Sequence, residues 1–321
     1  ETPIDGFDGF QVHPAYDDFS TPTFDGKHNL IKGGSWASTG NSAIKQSRYA
    51  FRRHFQQHSG LRYVEGDALP TAKINSYETD DIVAQYIEFH YGQPMSGAEN
   101  FPVACINAVT PYLADRAKAR ALDIGCATGR ASFELAKIYD RVDAVDLSVR
   151  LIEPPANLQK TGSQRYVVPD EGELLSYRTI ALSDFAGYEE VAGKISFLQG
   201  DACNLADRFT GYDLVFAGNL IDRLYDPAAF LREIQARVRP SGLLVLISPY
   251  SWSEEHTARD KWLGGFKANT GESYNTLDGI TDILSSAFTL IDTPRDIPFL
   301  MRETRRTFVR GVSEMTVWEK V

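Results

Sequence analysis

The sequence predicts an α/β protein: a mostly parallel, doubly wound sheet that closes in an antiparallel hairpin, behind an irregular N-terminal extension. Three observations predict it. Strand-like apolar runs alternate with amphipathic stretches from about residue 120. The last two runs, "FTLIDTPRDIPFLMRE" and "RTFVRGVSEMTVWEKV", have no helical stretch between them. The composition changes near residue 70, from a stretch rich in Gly, Pro, Asp and aromatics to periodic sequence.

Residues 1–70 read as irregular and turn-rich, ending in the aromatic and basic "SRYAFRRHFQQHSGLRYV". In "TDDIVAQYIEFHYG", Ile82, Val83, Tyr86, Ile87 and Phe89 have helical spacing, with Thr79 as N-cap and acids in the first turn. "RALDIGCA" is a buried strand, "RASFELAKIY" a helix and "VDAVDLS" a second strand. "KISFLQGDA", "YDLVFAGNLID" and "GLLVLISPY" are three more strands. "DPAAFLREIQARVRPSG" is an amphipathic helix running from Asp-Pro to Pro-Ser-Gly. "YVVPDEGELLSYRTIALSDFAGYEE" is longer than a simple connection and reads as an insertion, a hairpin or lid.

With 321 residues, 43% of them hydrophobic, the chain has apolar mass for two domains or one domain with an extension. Its net charge of −10 argues against nucleic acid or an anionic membrane as main partner. Cys105, Cys126 and Cys203 have no metal-ligand spacing, which points to a reducing, cytoplasmic compartment. No apolar run approaches the roughly 18 residues of a membrane helix, and no signal-peptide pattern opens the chain. The first residue is Glu rather than Met, as in a processed product or a piece of a longer protein.

Ligands of such sheets sit beyond the carboxyl ends of the strands. There "ALDIGCATGR" places Asp123, Gly125, Cys126, Ala127, Thr128 and Gly129 ahead of a helix, whose N-terminus offers N–H groups. The middle glycine of the dinucleotide fingerprint is absent, and Asp123 would repel a pyrophosphate but suits an ammonium. Asp146, with Leu147 and Ser148 behind it, ends the second strand, where a carboxylate accepts from a ribose diol. NAD would use the same acid, so Asp146 indicates a nucleoside without choosing between ligands.

The D-x-G-x-x-x-G run resembles the first motif of the Rossmann-like class I methyltransferases that bind S-adenosylmethionine. That resemblance implies adenine recognition by Asp201 with Ala202 nearby, and a methionine and methyl end lined by Asn219 and Leu220. A narrower resemblance rests on "YETDDIVAQYIEFHYG", "DFAGYEEVAGKISFLQGDACNL", "AGNLIDRLYDP", "ISPYSWSEEHT" and "RDIPFLMRETRRTF". Over about residues 71–321 these look like the C-terminal methyltransferase domain of the bifunctional ovothiol biosynthesis enzymes, 5-histidylcysteine sulfoxide synthase joined to 4-mercaptohistidine N-methyltransferase. "HNLIKGGSWASTGN" and the basic segment after it look like the tail of the preceding formylglycine-generating-enzyme-like domain.

The resemblance implies methylation of an imidazole ring nitrogen of 5-thiohistidine to ovothiol A, with upstream synthase domains as partners in the parent chain. His54 and His58 have a metal-binding i, i+4 spacing but no third ligand, so neither iron nor C–S bond formation is expected. An amino-acid acceptor with a ring and a thiolate needs a cation, a polar group and an aromatic wall. Position makes Tyr77, His90, Tyr91, Asn219, Arg223, Tyr250, Trp252 and Arg302 the candidates for binding it. Asn219 and Tyr250 stand at strand ends and are the candidates for catalysis, with His256 as a further proton acceptor. Four other readings stay open: a methyltransferase acting on another small molecule, an adenosylmethionine-binding module without turnover, an NAD-dependent oxidoreductase, and a methyltransferase for nucleic acid or protein.

Overall fold

The computed structural model describes residues 29–32, 48–51, 79–94 and 99–321. The chain divides into two units, Glu1–Ala72 and Lys73–Val321. In the first, β1 (Asn29–Lys32) and β2 (Arg48–Phe51) pair antiparallel, Asn29 opposite Phe51.

The second unit opens with helices α1 (Asp80–Tyr91) and α2 (Phe101–Val109). Then come β3 (Arg120–Ile124), α3 (Arg130–Ala136), β4 (Arg141–Asp146) and α4 (Val149–Thr161). A hairpin of β5 (Ser163–Glu171) and β6 (Leu174–Ala181) and the short α5 (Tyr188–Val191) lead to β7 (Ile195–Gln199). β8 (Tyr212–Gly218), α6 (Pro227–Ile234) and β9 (Val238–Ser248) follow. Two-residue strands β10 (Phe266–Lys267) and β11 (Ser273–Tyr274) precede α7 (Thr276–Leu284). β12 (Phe288–Leu290), β13 (Arg295–Arg302) and β14 (Phe308–Lys320) complete the chain.

The main sheet has the order β12-β14-β9-β8-β3-β4-β7, with β13 also on β14. β7, β4, β3, β8 and β9 run parallel; β14 is antiparallel to β9. Buried on both faces, such strands read as continuous apolar runs, and their two-residue period divides the core. Ala121, Leu243, Val245 and Ile247 face the layer of α1, α2 and α3. Leu122, Ile124, Leu244 and Leu246 face α6 and α7.

Thr79 caps α1 as expected, its hydroxyl accepting from the Ile82 N–H. Asp226 caps α6 through the Ala229 N–H, with Pro227 in the first turn. That helix stops at Ile234, short of the expected Pro-Ser-Gly. Residues 238–242 instead lie within β9: Tyr212 pairs with Val238 and Leu214 with Leu243, so the Pro-Ser-Gly bulges from the strand. The closing hairpin is present as β13 and β14, but "FTL" is a separate strand, β12, on β14.

The insertion is a hairpin held against α1 and β13 by a buried ionic cluster. Glu88 accepts from the Tyr166 hydroxyl at 2.8 Å and pairs with Arg178 and Arg302. Arg302 also donates to Asp170 at 2.7 Å and to the Pro169 carbonyl at 3.2 Å. This corrects the expected substrate role of Arg302: its guanidinium is spent on the hairpin. Among the described residues no helix is long and apolar enough to cross a membrane. Glu88→Ala would leave Arg302 short of its deepest counter-charge, and a loss of about 3 kcal/mol is expected in urea unfolding.

Candidate active site

The turn after β3 is shaped by what it must avoid. Gly125 has φ +72°, and a Cβ there would stand 2.9 Å from Leu220 Cδ1. Gly129 has φ +79°, and a Cβ would meet Phe197 at 2.7 Å and Pro155 at 2.8 Å. Gly125 and Cys126 both donate to the Val145 carbonyl, at 2.8 and 3.1 Å, and Gly129 donates to the Cys126 carbonyl. Ala127 N–H and Ser148 N–H each donate to one oxygen of Asp146, at 2.9 Å. One carboxylate therefore sets the conformation of two loops.

These bonds decide between ligands. A pyrophosphate site presents unsatisfied backbone N–H groups to the anion. Here the N–H groups of Gly125, Cys126, Ala127 and Gly129 turn inward to protein acceptors. The loop meets its ligand as shape and carboxylate, which suits a cationic amino acid joined to a nucleoside. At the N-terminus of the following helix, where N–H groups were expected to be on offer, the Arg130 N–H faces His90 Nδ1 at 3.5 Å.

The loop borders a cavity of about 450 Å³, within the usual size of a small-molecule site. Asp123, Gly125, Cys126, Ala127, Asp146, Leu147, Ser148, Asp201, Ala202 and Leu220 line its cofactor side. Asp146, the last residue of β4, stands at the strand end where a carboxylate meets a ribose diol. Asp201 accepts from the Tyr225 hydroxyl at 2.8 Å and from the Cys203 N–H at 2.9 Å, which fixes its plane beside Ala202. Asp123 is 1% exposed and accepts from Ser132 Oγ at 2.5 Å. Burial pushes its carboxyl up to about 7; the Ser132 bond opposes this and the Asp146 charge adds to it. An ammonium beside Asp123 restores its charge. The residues present thus fit S-adenosylmethionine.

The other wall comes from different elements. Tyr86, Phe89 and His90 share one face of α1, Phe101 and Cys105 belong to α2, and Phe216, Asn219 and Met301 close the end. His90 is buried and neutral: burial, then the Arg130 charge, lowers its imidazole to about 3. Burial pushes the Cys105 and Cys126 thiols up. Neither presents a thiolate that would compete for an electrophilic methyl. Arg223, Tyr225, Glu255 and His256 also border the cavity.

Several expected site residues turn away from it. Thr128 is fully buried, its hydroxyl donating to the Tyr86 carbonyl, and Gly129 lies beneath the turn. Tyr91 donates to the Thr128 carbonyl at 2.8 Å and braces the loop from behind. Tyr250 donates to Glu314 at 3.0 Å, and burial pushes its phenol up, so it neither touches the cavity nor acts as a base. Trp252 packs on Trp262 and donates to Thr276 Oγ1. Arg223 borders the cavity while donating to Ser251 Oγ and its carbonyl. Tyr77, His54 and His58 lie outside the described residues. Sequence reasoning missed Tyr86, Phe89, Phe101, Phe216 and Met301. The i, i+3, i+4 spacing of Tyr86, Phe89 and His90 was the available signal.

Three outcomes are expected. The Asp123 carboxyl has a higher pKa folded than unfolded, so between about pH 4 and pH 7 the folded state keeps a proton that the unfolded chain releases. Stability without cofactor therefore falls as pH rises through that window, and Asp123→Asn raises Tm at pH 8 but not at pH 4. The same variant weakens binding of S-adenosylhomocysteine about tenfold by calorimetry. Gly125→Ala forces a Cβ onto Leu220 at positive φ, and that binding is expected to be lost.

The model of the methyltransferase-domain family matches residues 98–287. The chain is also similar to solved structures. One concerns the conversion of a disulfide bond into a thioacetal group during echinomycin biosynthesis (13% identity, 75% of this chain and 93% of that one, TM-score 0.45). Another is the [4+2]-cyclase SpnF (12%, 75% and 96%, 0.45). A third is described as a SAM-dependent methyltransferase from Methanosarcina mazei (17%, 67% and 97%, 0.41). With the family match, the parallel sheet and the carboxylates at its strand ends, the chain belongs to the methyltransferase-domain family and is an enzyme whose cofactor is S-adenosylmethionine.

Proposed function

We propose that the enzyme methylates an imidazole ring nitrogen of 5-thiohistidine to give ovothiol A. The observation that carries this reading is the cavity's second end. Beyond the cofactor loop it is walled by Tyr86, Phe89, Phe101, Phe216 and Met301, with His90 and Asn219 as polar groups. Such a wall suits a small planar ring rather than a macromolecule. The sequence resemblance over about residues 71–321 supplies the identity of the ring, and it implies that upstream synthase domains supply the substrate.

When bound, S-adenosylmethionine supplies an electrophilic methyl on a sulfonium centre. Asp123 holds the ammonium end, Asp146 the ribose and Asp201 the adenine edge. The aromatic wall orients the acceptor ring and excludes water, so positioning and dehydration provide most of the rate. No strong base is needed, because the nucleophilic ring nitrogen carries a neutral lone pair, and the methylated ring then releases the proton of its other nitrogen to solvent.

Mass spectrometry of the protein with S-adenosylmethionine and 5-thiohistidine, histidine or 5-histidylcysteine sulfoxide tests the reading. One added methyl on 5-thiohistidine alone, lost in Asp146→Ala, is expected. Transfer to none of the three while S-adenosylhomocysteine still binds rejects the acceptor. The rate falls in acid as the substrate ring is protonated. His90, lowered to about 3, contributes nothing to that limb, so His90→Gln leaves its midpoint in place when kcat/KM is followed against pH.

A further inference from the structure

The acceptor end contains a hydrogen bond between residues 94 apart. Asn219 follows the last residue of β8, with φ +50° and its N–H donating to the Ile247 carbonyl at 2.7 Å. A left-handed backbone is one that Asn tolerates better than most side chains. The side chain borders the cavity, and its Oδ1 accepts from Ser313 Oγ at 2.8 Å. Ser313 is on β14, on the far side of β9, and is fully buried. The next residue, Glu314, pairs with Ser248, the last residue of β9. Ser313 thus stands just past the end of the intervening strand, where its hydroxyl can cross to Asn219.

We propose that Ser313 is a positioning residue: it holds the Asn219 carboxamide oxygen, so that the amide N–H group is the edge offered to the methyl acceptor. A carboxamide has one acceptor atom and two donor hydrogens. With the oxygen engaged, Asn219 recognises an atom rich in lone pairs, such as a thiolate sulfur or a carboxylate oxygen, and disfavours an ammonium. The nucleophilic nitrogen is excluded as its partner, because a hydrogen bond would occupy the lone pair that forms the new bond. His90 matches this polarity. Its Nδ1 faces the Arg130 N–H at 3.5 Å, which leaves the proton on Nε2, a second neutral donor. A site with two neutral donors selects the anionic thiolate form of its acceptor and fixes which nitrogen faces the cofactor.

The choice of 5-thiohistidine as probe rests on the proposed function; the Ser313–Asn219 coupling does not. In Ser313→Ala the KM for 5-thiohistidine should rise about tenfold, with kcat changed far less. S-Adenosylhomocysteine should bind within about twofold of the wild type, since Asp123, Asp146 and Asp201 keep their own partners. Asn219→Asp keeps an oxygen for Ser313 but puts a carboxylate where the N–H stood, so its KM should rise further. An unchanged KM in Ser313→Ala, or tighter acceptor binding in Asn219→Asp, overturns the proposal. If the wild-type protein does not methylate 5-thiohistidine, the acceptor reading fails on its own. The coupling is then decided by the side-chain NH₂ signals of Asn219 in ¹⁵N-labelled protein. They should shift and exchange faster in Ser313→Ala, and signals that do neither overturn it.

Discussion

A strand buried on both faces leaves little room along its length for polar groups without protein partners, so in this sheet the chemistry collects where strands end. β3 makes the constraint plain: Ala121, Leu122 and Ile124 are fully buried. Its one acid, Asp123, is just inside the end and stays there only because Ser132 supports it. Its raised carboxyl records the cost of that position, which an incoming ammonium offsets. Asp146 stands one step further out. Its two oxygens tie the loop after β3 to the loop after β4, so the cofactor edge behaves as one piece.

The cofactor half was legible in the sequence because strand ends are local events. An apolar run stops, and an acid or glycine follows. Asp123, Asp146 and Asp201 could each be placed without knowing what packs against them. The acceptor half was not legible, because it depends on partners far along the chain. Tyr250 and Trp252 stand at a strand end, as expected. Glu314 and Thr276, supplied by later elements, draw them away from the cavity. Arg302 is beside the cavity residue Met301 yet faces the opposite way, toward Glu88 and Asp170. The residues that do form the wall, Phe89 and Phe101 among them, have the periodicity of ordinary core. From local pattern alone, packing against a ligand and packing against a neighbour are the same signal.

The insertion hairpin links these halves. It sits on the back of α1, opposite the face that carries Tyr86, Phe89 and His90 to the cavity. Glu88 points toward the hairpin while its neighbours in sequence point toward the ligand. The same ionic cluster reaches β13, so α1 and Met301 are held at a fixed separation. The width of that end of the cavity thus depends on charges that lie outside it.

β14 also has a consequence for how the molecule comes into being. It pairs with β9, β12 and β13, and so covers the β9 edge. Asn219 leaves the ribosome 94 residues before Ser313, an interval of about 5–20 s at ordinary synthesis rates. The cofactor-side residues other than Leu220, the next to be added, are already made when that interval begins. The β9 edge meanwhile lacks the strand that will cover it, and an open edge is a template for pairing with other chains. Early capture of the nucleoside would steady the sheet while its last strand is still being synthesised.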